Sequence, residues 1–148
     1  MESVIEIVRI KQVVKKRKGK HLLVTIKSPE DAANLLRKEI GDEDREVFFV
    51  IALNTKGDVI AIHRCHVGSI NASIAHPREI MKSLILNNAT SFIVGHVHPS
   101  GHTFPSNEDL NVTNKLSEVG ELLGIELLDH VIVSYNQEFT SLKEKGYL

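Results

Sequence analysis

Two histidines one residue apart, His96-Val97-His98, followed by Ser106 and Asp109, are the residues of this chain best suited to chemistry. At the end of a β-strand, residues i and i+2 project to the same face, so His96 and His98 present their imidazoles side by side. Zinc–nitrogen bonds are about 2.0–2.1 Å long, and two such rings can converge on one ion. Gly95 and Gly101, flanking the pair, leave room for close approach. A polar loop from Pro99 to Pro105 turns the chain back, and Asp109 falls in the first turn of the next helix, where its carboxylate can supply a third ligand. Two histidines and one carboxylate leave one tetrahedral position for water, the pattern of a catalytic zinc site. Zinc brings the pKa of bound water to about 7. Taken singly the parts are ordinary, because Ser106-x-x-Asp109 is also a helix-capping box. Two histidines in a core strand, however, each need a buried partner. The joint spacing is what points to a metal.

The surrounding elements must position these groups. Ser28-Pro29 opens a helix, with Ser28 as cap and Pro29 at the first helical position. Ala32, Ala33, Leu36 and Ile40 form its apolar stripe and Gly41 ends it. The run from Val47 to Leu53 is continuously apolar and reads as a strand buried on both faces. A turn over 54–58 leads to an antiparallel return beginning at Val59. His76-Pro77 begins a second helix, and Ser91 to Val97 is the strand that carries the histidines, stopped by Pro99. A third helix starts at Ser106 and ends at Gly124. Ile125 to Ser134 is another strand, Tyr135 to Gln137 a turn, and a short helix closes the chain. The alternation predicts an α/β fold, a sheet of mixed and mainly antiparallel direction with helices packed on it.

Composition narrows the class. The 148 residues are 42% hydrophobic and 25% charged, with 18 Lys+Arg against 19 Asp+Glu and a formal net charge of −1. This is ordinary globular composition for one domain. Cys65 is the sole cysteine, so an intrachain disulfide and a Cys-rich zinc finger are excluded. A zinc nucleoside deaminase needs H-x-E and P-C-x-x-C and is excluded too. His63 and Cys65 share a strand face but lack a third partner, so Cys65 reads as a small packed residue. No apolar run is long enough to span a bilayer and no secretory signal is visible, so the expectation is a cytoplasmic protein without a membrane anchor. The near-zero charge hides a dipolar layout. Arg9 to Lys20 holds seven cations and no acid, whereas Pro29 to Glu46 holds seven acids and three cations. Residues 1–27 therefore read as a basic N-terminal strand or hairpin extension, and 28–148 as the domain proper.

The site residues also carry a resemblance. His-x-His, seven residues, Ser, two residues, Asp resembles the JAMM motif of the JAB/MPN metalloproteases. The longer string His96-Val97-His98-Pro99-Ser100-Gly101, with Pro105, Ser106 and Asp109, is similar to the bacterial RadC branch. So are Ser28-Pro29-Glu30-Asp31, Arg45-Glu46-Val47-Phe48, Gly68-Ser69-Ile70-Asn71-Ala72-Ser73, His76-Pro77-Arg78-Glu79 and Leu127-Leu128-Asp129-His130, in RadC order. The resemblance covers roughly residues 28 to 148. It implies a JAB/MPN-like fold with cytidine-deaminase-like layering and one zinc ion on His96, His98 and Asp109. It implies that Glu46, directly before the first central strand, is the general base, and that Ser106 donates a hydrogen bond to the developing oxyanion. His130 reads as a supporting residue near the pocket.

The implied activity is zinc-dependent hydrolysis of an amide bond in a peptide or a ubiquitin-like protein conjugate. The alternative is a DNA-associated accessory protein, of a repair or mobile-element kind, that binds nucleic acid through Lys15, Lys16, Arg17 and Lys18, which could follow a phosphate backbone. A solvated edge hairpin whose lysines deter strand pairing explains the same cations. Longer RadC proteins begin with a helix-hairpin-helix-like segment that 27 residues cannot hold. Val97 also departs from the Asn common between the two histidines, and its side chain is expected to point away from the metal. A monomer or a homodimer is compatible with the sequence.

Overall fold

The computed structural model describes residues 2–67 and 76–148. The segment Gly68 to Ser73, which contributes to the resemblance above, lies outside the described residues. Within them the elements run α1 (Pro29–Ile40), β1 (Val47–Leu53), β2 (Val59–Val67), α2 (Pro77–Leu86), β3 (Ser91–Val97), α3 (Asn107–Leu123), β4 (Glu126–Val133) and β5 (Phe139–Ser141). The strands form one sheet in the order β2-β1-β3-β4-β5. Only the β3–β4 pair is parallel. Its crossover is α3, because parallel neighbours cannot be joined by a tight turn.

The local rules explain most boundaries. Ser28 accepts the N–H of Asp31 and Pro29 occupies the first turn of α1. Gly124, in the left-handed conformation, terminates α3. Every residue of β1 is buried, since helices cover both sides of the sheet. On one face Phe48, Val50, Ala52, Phe92 and Val94 pack with Ile80, Met81 and Leu84 of α2 and Val112 and Leu116 of α3. On the other face Phe49, Ile51, Ile93, Val97, Val131 and Val133 pack with Ala32, Ala33, Leu36 and Ile40 of α1. The result is a helix–sheet–helix layering, consistent with a JAB-like fold. Val97, buried on the α1 side, does point away from the histidine face.

Three expectations are corrected. The strand or hairpin expected over 1–27 does not form: residues 2–19 are neither helix nor strand and lie exposed, and a single 3-10 turn follows at Lys20–Leu22. Thr25 makes one isolated bridge to Asp58, and Arg17 and Gln12 are tied by side chains to Glu39 and Asn87 rather than by a ladder. Dense like charge disfavours a compact hairpin there. The closing helix is replaced by β5, which pairs with β4 through Val131↔Ser141, followed by turns. The glycines beside the histidines do not make room for an ion. A Cβ on Gly95 would meet Leu36 of α1 on the opposite face, and one on Gly101 would meet the Tyr135 ring. Gly95 admits the helix, and Gly101, at φ +88, shapes the loop. Among the described residues no helix is long and apolar enough to cross a membrane.

Candidate metal centre

The β1–β3 register sets the site. Phe48 lies opposite His96 in an antiparallel ladder, where one number rises as its partner's falls. Just beyond the end of that ladder, Glu46 and His98 line the same cleft. The strand end thus brings the acid and the His98 imidazole together.

Asp109 arrives from α3. Ser106 caps that helix: its Oγ accepts the N–H of Asp109 at 3.1 Å, and Asp109 Oδ2 accepts the N–H of Ser106 at 2.8 Å. The capping box is therefore real, and it aims the carboxylate at the strand end. Asp109 Oδ1 stands 3.3 Å from His96 Nε2, and Oδ2 stands 3.4 Å from His98 Nε2. The two Nε2 atoms are 2.8 Å apart. One ligand atom from each of His96, His98 and Asp109 lies within 4.8 Å of the others. His96 and Asp109 are buried, while His98 is half-buried and opens to a cleft of about 640 Å³ lined by Asp44, Arg45, Glu46, His98, Pro99, Ser100 and Ser106.

The electrostatics favour a cation. Burial alone would raise the Asp109 carboxyl, but its contacts with His96 and His98 and the Ser106 N–H hold it well below the ordinary carboxylate range. Burial would lower His98, but the Asp109 bond and charge, the His102 carbonyl and the charge of Glu46 raise it. His98 Nδ1 donates to the His102 carbonyl at 2.9 Å, which leaves Nε2 as the ring atom that faces the cluster. Two imidazole nitrogens and a carboxylate form an N/O donor set that suits zinc and related divalent ions. The residues present thus fit a single metal ion.

The remaining predicted residues fall as follows. His130 lies in the middle of β4, fully buried, with Nε2 2.8 Å from His96 Nδ1. Burial pushes it well below the ordinary histidine range. Lys15, Lys16, Arg17 and Lys18 are exposed on the irregular segment, away from the cleft lining, and Arg17 is held at 2.7 Å by Glu39. His102 is exposed and contributes its backbone carbonyl. His21 bonds Glu39, His63 bonds Ser83, and His76 caps α2. Sequence reasoning missed Thr113, whose Oγ1 lies 2.6 Å from His130 Nδ1. Its only sequence signal is a helical position four residues after Asp109, too common to single out.

A layered sheet with its helices placed this way, and a His-His-Asp cluster at the end of a central strand, defines a JAB-type domain. The chain belongs to the RadC-like JAB domain family, which matches residues 26–147. It is 52% identical over 123 residues to a UPF0758 protein of Bacillus licheniformis, covering 83% of this chain and 54% of the relative. It is 50% identical over 123 residues to UPF0758 protein YsxA of Bacillus subtilis, covering 83% and 53%. With a UPF0758 protein of Clostridium beijerinckii the identity is 46% over 125 residues, covering 84% and 54%. The chain spans about half the length of these curated relatives.

Proposed function

We propose that this domain is a zinc-dependent hydrolase of amide bonds, of metallopeptidase or isopeptidase type, acting on a peptide or a ubiquitin-like protein conjugate. The observation that carries the reading is the convergence of three ligand atoms within 4.8 Å, one of them from His98 on a cleft also lined by Glu46 and Ser106. His96, His98 and Asp109 would hold the ion. When bound, the ion supplies Lewis acidity, polarising a carbonyl and bringing water deprotonation towards neutral pH.

The chain's own residues supply the rest. Glu46, on the same cleft as His98, takes the proton of the attacking water on its carboxylate and returns it to the leaving amine. Ser106 Oγ accepts in the helix cap, so the cap does not use its hydroxyl hydrogen, which can be donated to the oxygen that gains charge. The Asp109 carboxylate is held in aim by the Ser106 N–H, and His98 by the His102 carbonyl, so neither ring nor acid must reorganise during the reaction.

The test is metal content of the purified protein together with a cleavage screen over a peptide library and ubiquitin-like conjugates. One divalent ion per chain with cleavage that chelation abolishes supports the reading. A protein that binds no divalent ion, or cleaves equally well after chelation, overturns it. The exposed cations at Lys15, Lys16 and Lys18 support the second reading, nucleic-acid association. A salt-titrated DNA-binding assay decides it, since phosphate contacts give a steep salt dependence.

A further inference from the structure

The buried polar atoms behind the metal centre can be assigned one by one. Thr113 Oγ1 lies 2.7 Å from the backbone carbonyl of Asp109 and 2.6 Å from His130 Nδ1. It has a single hydrogen to share between them. The carbonyl can only accept, and a carbonyl and a hydroxyl oxygen at 2.7 Å repel unless a hydrogen lies between them. The hydroxyl hydrogen therefore goes to the Asp109 carbonyl, and the contact to His130 needs a hydrogen on Nδ1. The ring is fully buried and its hydrogen-bond contacts are Thr113 and His96 rather than a carboxylate, so it is neutral with one hydrogen, and His130 Nε2 is an acceptor. Its partner, 2.8 Å away, is His96 Nδ1, which must then be the donor. This leaves the lone pair of His96 on Nε2, the atom that faces His98 and Asp109.

We propose that Thr113 is a positioning residue for the metal centre: by donating to the Asp109 carbonyl it fixes the tautomer of His130 and, through His130, turns the lone pair of His96 towards the ion. The relay starts at the backbone of Asp109 and ends 3.3 Å from the carboxylate of the same residue. Thr113, His96 and His130 are all fully buried, so no water competes for these hydrogens. With the Thr113 hydroxyl gone, His130 can place its hydrogen on Nε2. It then donates to His96 Nδ1 and forces a hydrogen onto His96 Nε2, which blocks the ligand atom. The inference rests on His96, His98 and Asp109 being the metal ligands.

The experiment has two arms. Nitrogen-15 correlation spectra of the imidazoles read the tautomers without any metal, and competition with a chromophoric chelator reads zinc affinity. In the wild type, His130 carries its hydrogen on Nδ1 and His96 on Nδ1. Thr113→Val, which matches the shape of threonine, shifts both rings towards Nε2–H and weakens zinc binding about 10–100-fold, the usual effect of losing such a partner. Thr113→Ser restores both readings. Unchanged tautomers in the folded Thr113→Val protein, or a wild-type His130 with its hydrogen on Nε2, overturn the proposal, as does a Thr113→Ser protein that behaves like Thr113→Val. If the wild type shows the stated tautomers but binds no divalent ion, the hydrolase reading fails while the relay stands.

Discussion

Ser106 and Asp109 hold each other reciprocally: Ser106 Oγ takes the Asp109 N–H at 3.1 Å, and Asp109 Oδ2 takes the Ser106 N–H at 2.8 Å. The capping box and the candidate metal centre are thus one structure rather than rival explanations of the same four residues. Helix α3 begins where the third ligand must be aimed.

Ser106 is therefore expected to matter twice. Ser106→Ala should lower unfolding stability by about 1 kcal/mol through the lost cap. It should also reduce turnover by about 10²–10³-fold through the lost oxyanion donor. Ser106→Thr should keep both. Thermal unfolding and cleavage rates measured well below the midpoint separate the effects. Turnover that survives Ser106→Ala at such a temperature removes the oxyanion role.

Glu46 and Asp109 should separate chemistry from binding. Glu46→Gln keeps the bound ion and loses about 10²–10⁴-fold in turnover, the range for a positioned proton carrier. Asp109→Asn weakens metal binding itself. Metal stoichiometry after gel filtration checks both. A Glu46→Gln protein that loses its ion as readily as Asp109→Asn would show that the roles are assigned wrongly.

Gly95 should be intolerant for a reason unrelated to the metal. An added Cβ would stand 2.3 Å from Leu36 Cδ1 and 2.5 Å from Leu36 Cδ2. Gly95→Ala is expected to destabilise by about 1–3 kcal/mol through overpacking. Adding Leu36→Ala gives the methyl space, so the double variant should be less destabilised than the two losses combined. Additive losses in chemical denaturation would place the strain elsewhere.

Cys65 should be a poor nucleophile. Burial, then the charge of Glu79, pushes its thiol up to about 12. The thiolate is the reactive form, so the sign is that labelling by a thiol reagent speeds up as pH rises. The rate should climb about tenfold per pH unit from about pH 7 to about pH 10 without levelling. A plateau near the ordinary thiol range would contradict the half-buried, protonated thiol.

Much of the fold was legible because its signals are local. Ser28-Pro29 and Ser106 mark helix starts through hydrogen bonds made within three residues. Val47 to Leu53 marks a central strand because a strand covered on both faces has no polar side. His96, His98 and Asp109 were readable as a set because the period of a strand and the first turn of a helix constrain where their side chains point. The sequence by itself thus determined the order of elements from α1 to β4, the layered class and the three candidate ligands.

Tertiary structure alone decided which partners those residues meet. The antiparallel register of β1 on β3 sets Phe48 opposite His96 and so brings the chain at Glu46 to the cleft of His98, and no pattern within either strand encodes that register. The approach of α1 decides that Gly95 serves Leu36 and not an ion. The pairing of β5 on β4 replaces the expected closing helix, and the basic segment finds no ladder to join. Thr113, His130 and His96 lie 17 and 34 residues apart along the chain, so their contact leaves no periodic trace. Hydrogen bonds between buried groups of that separation exist only after the core has closed, because burial is what removes water as the competing partner.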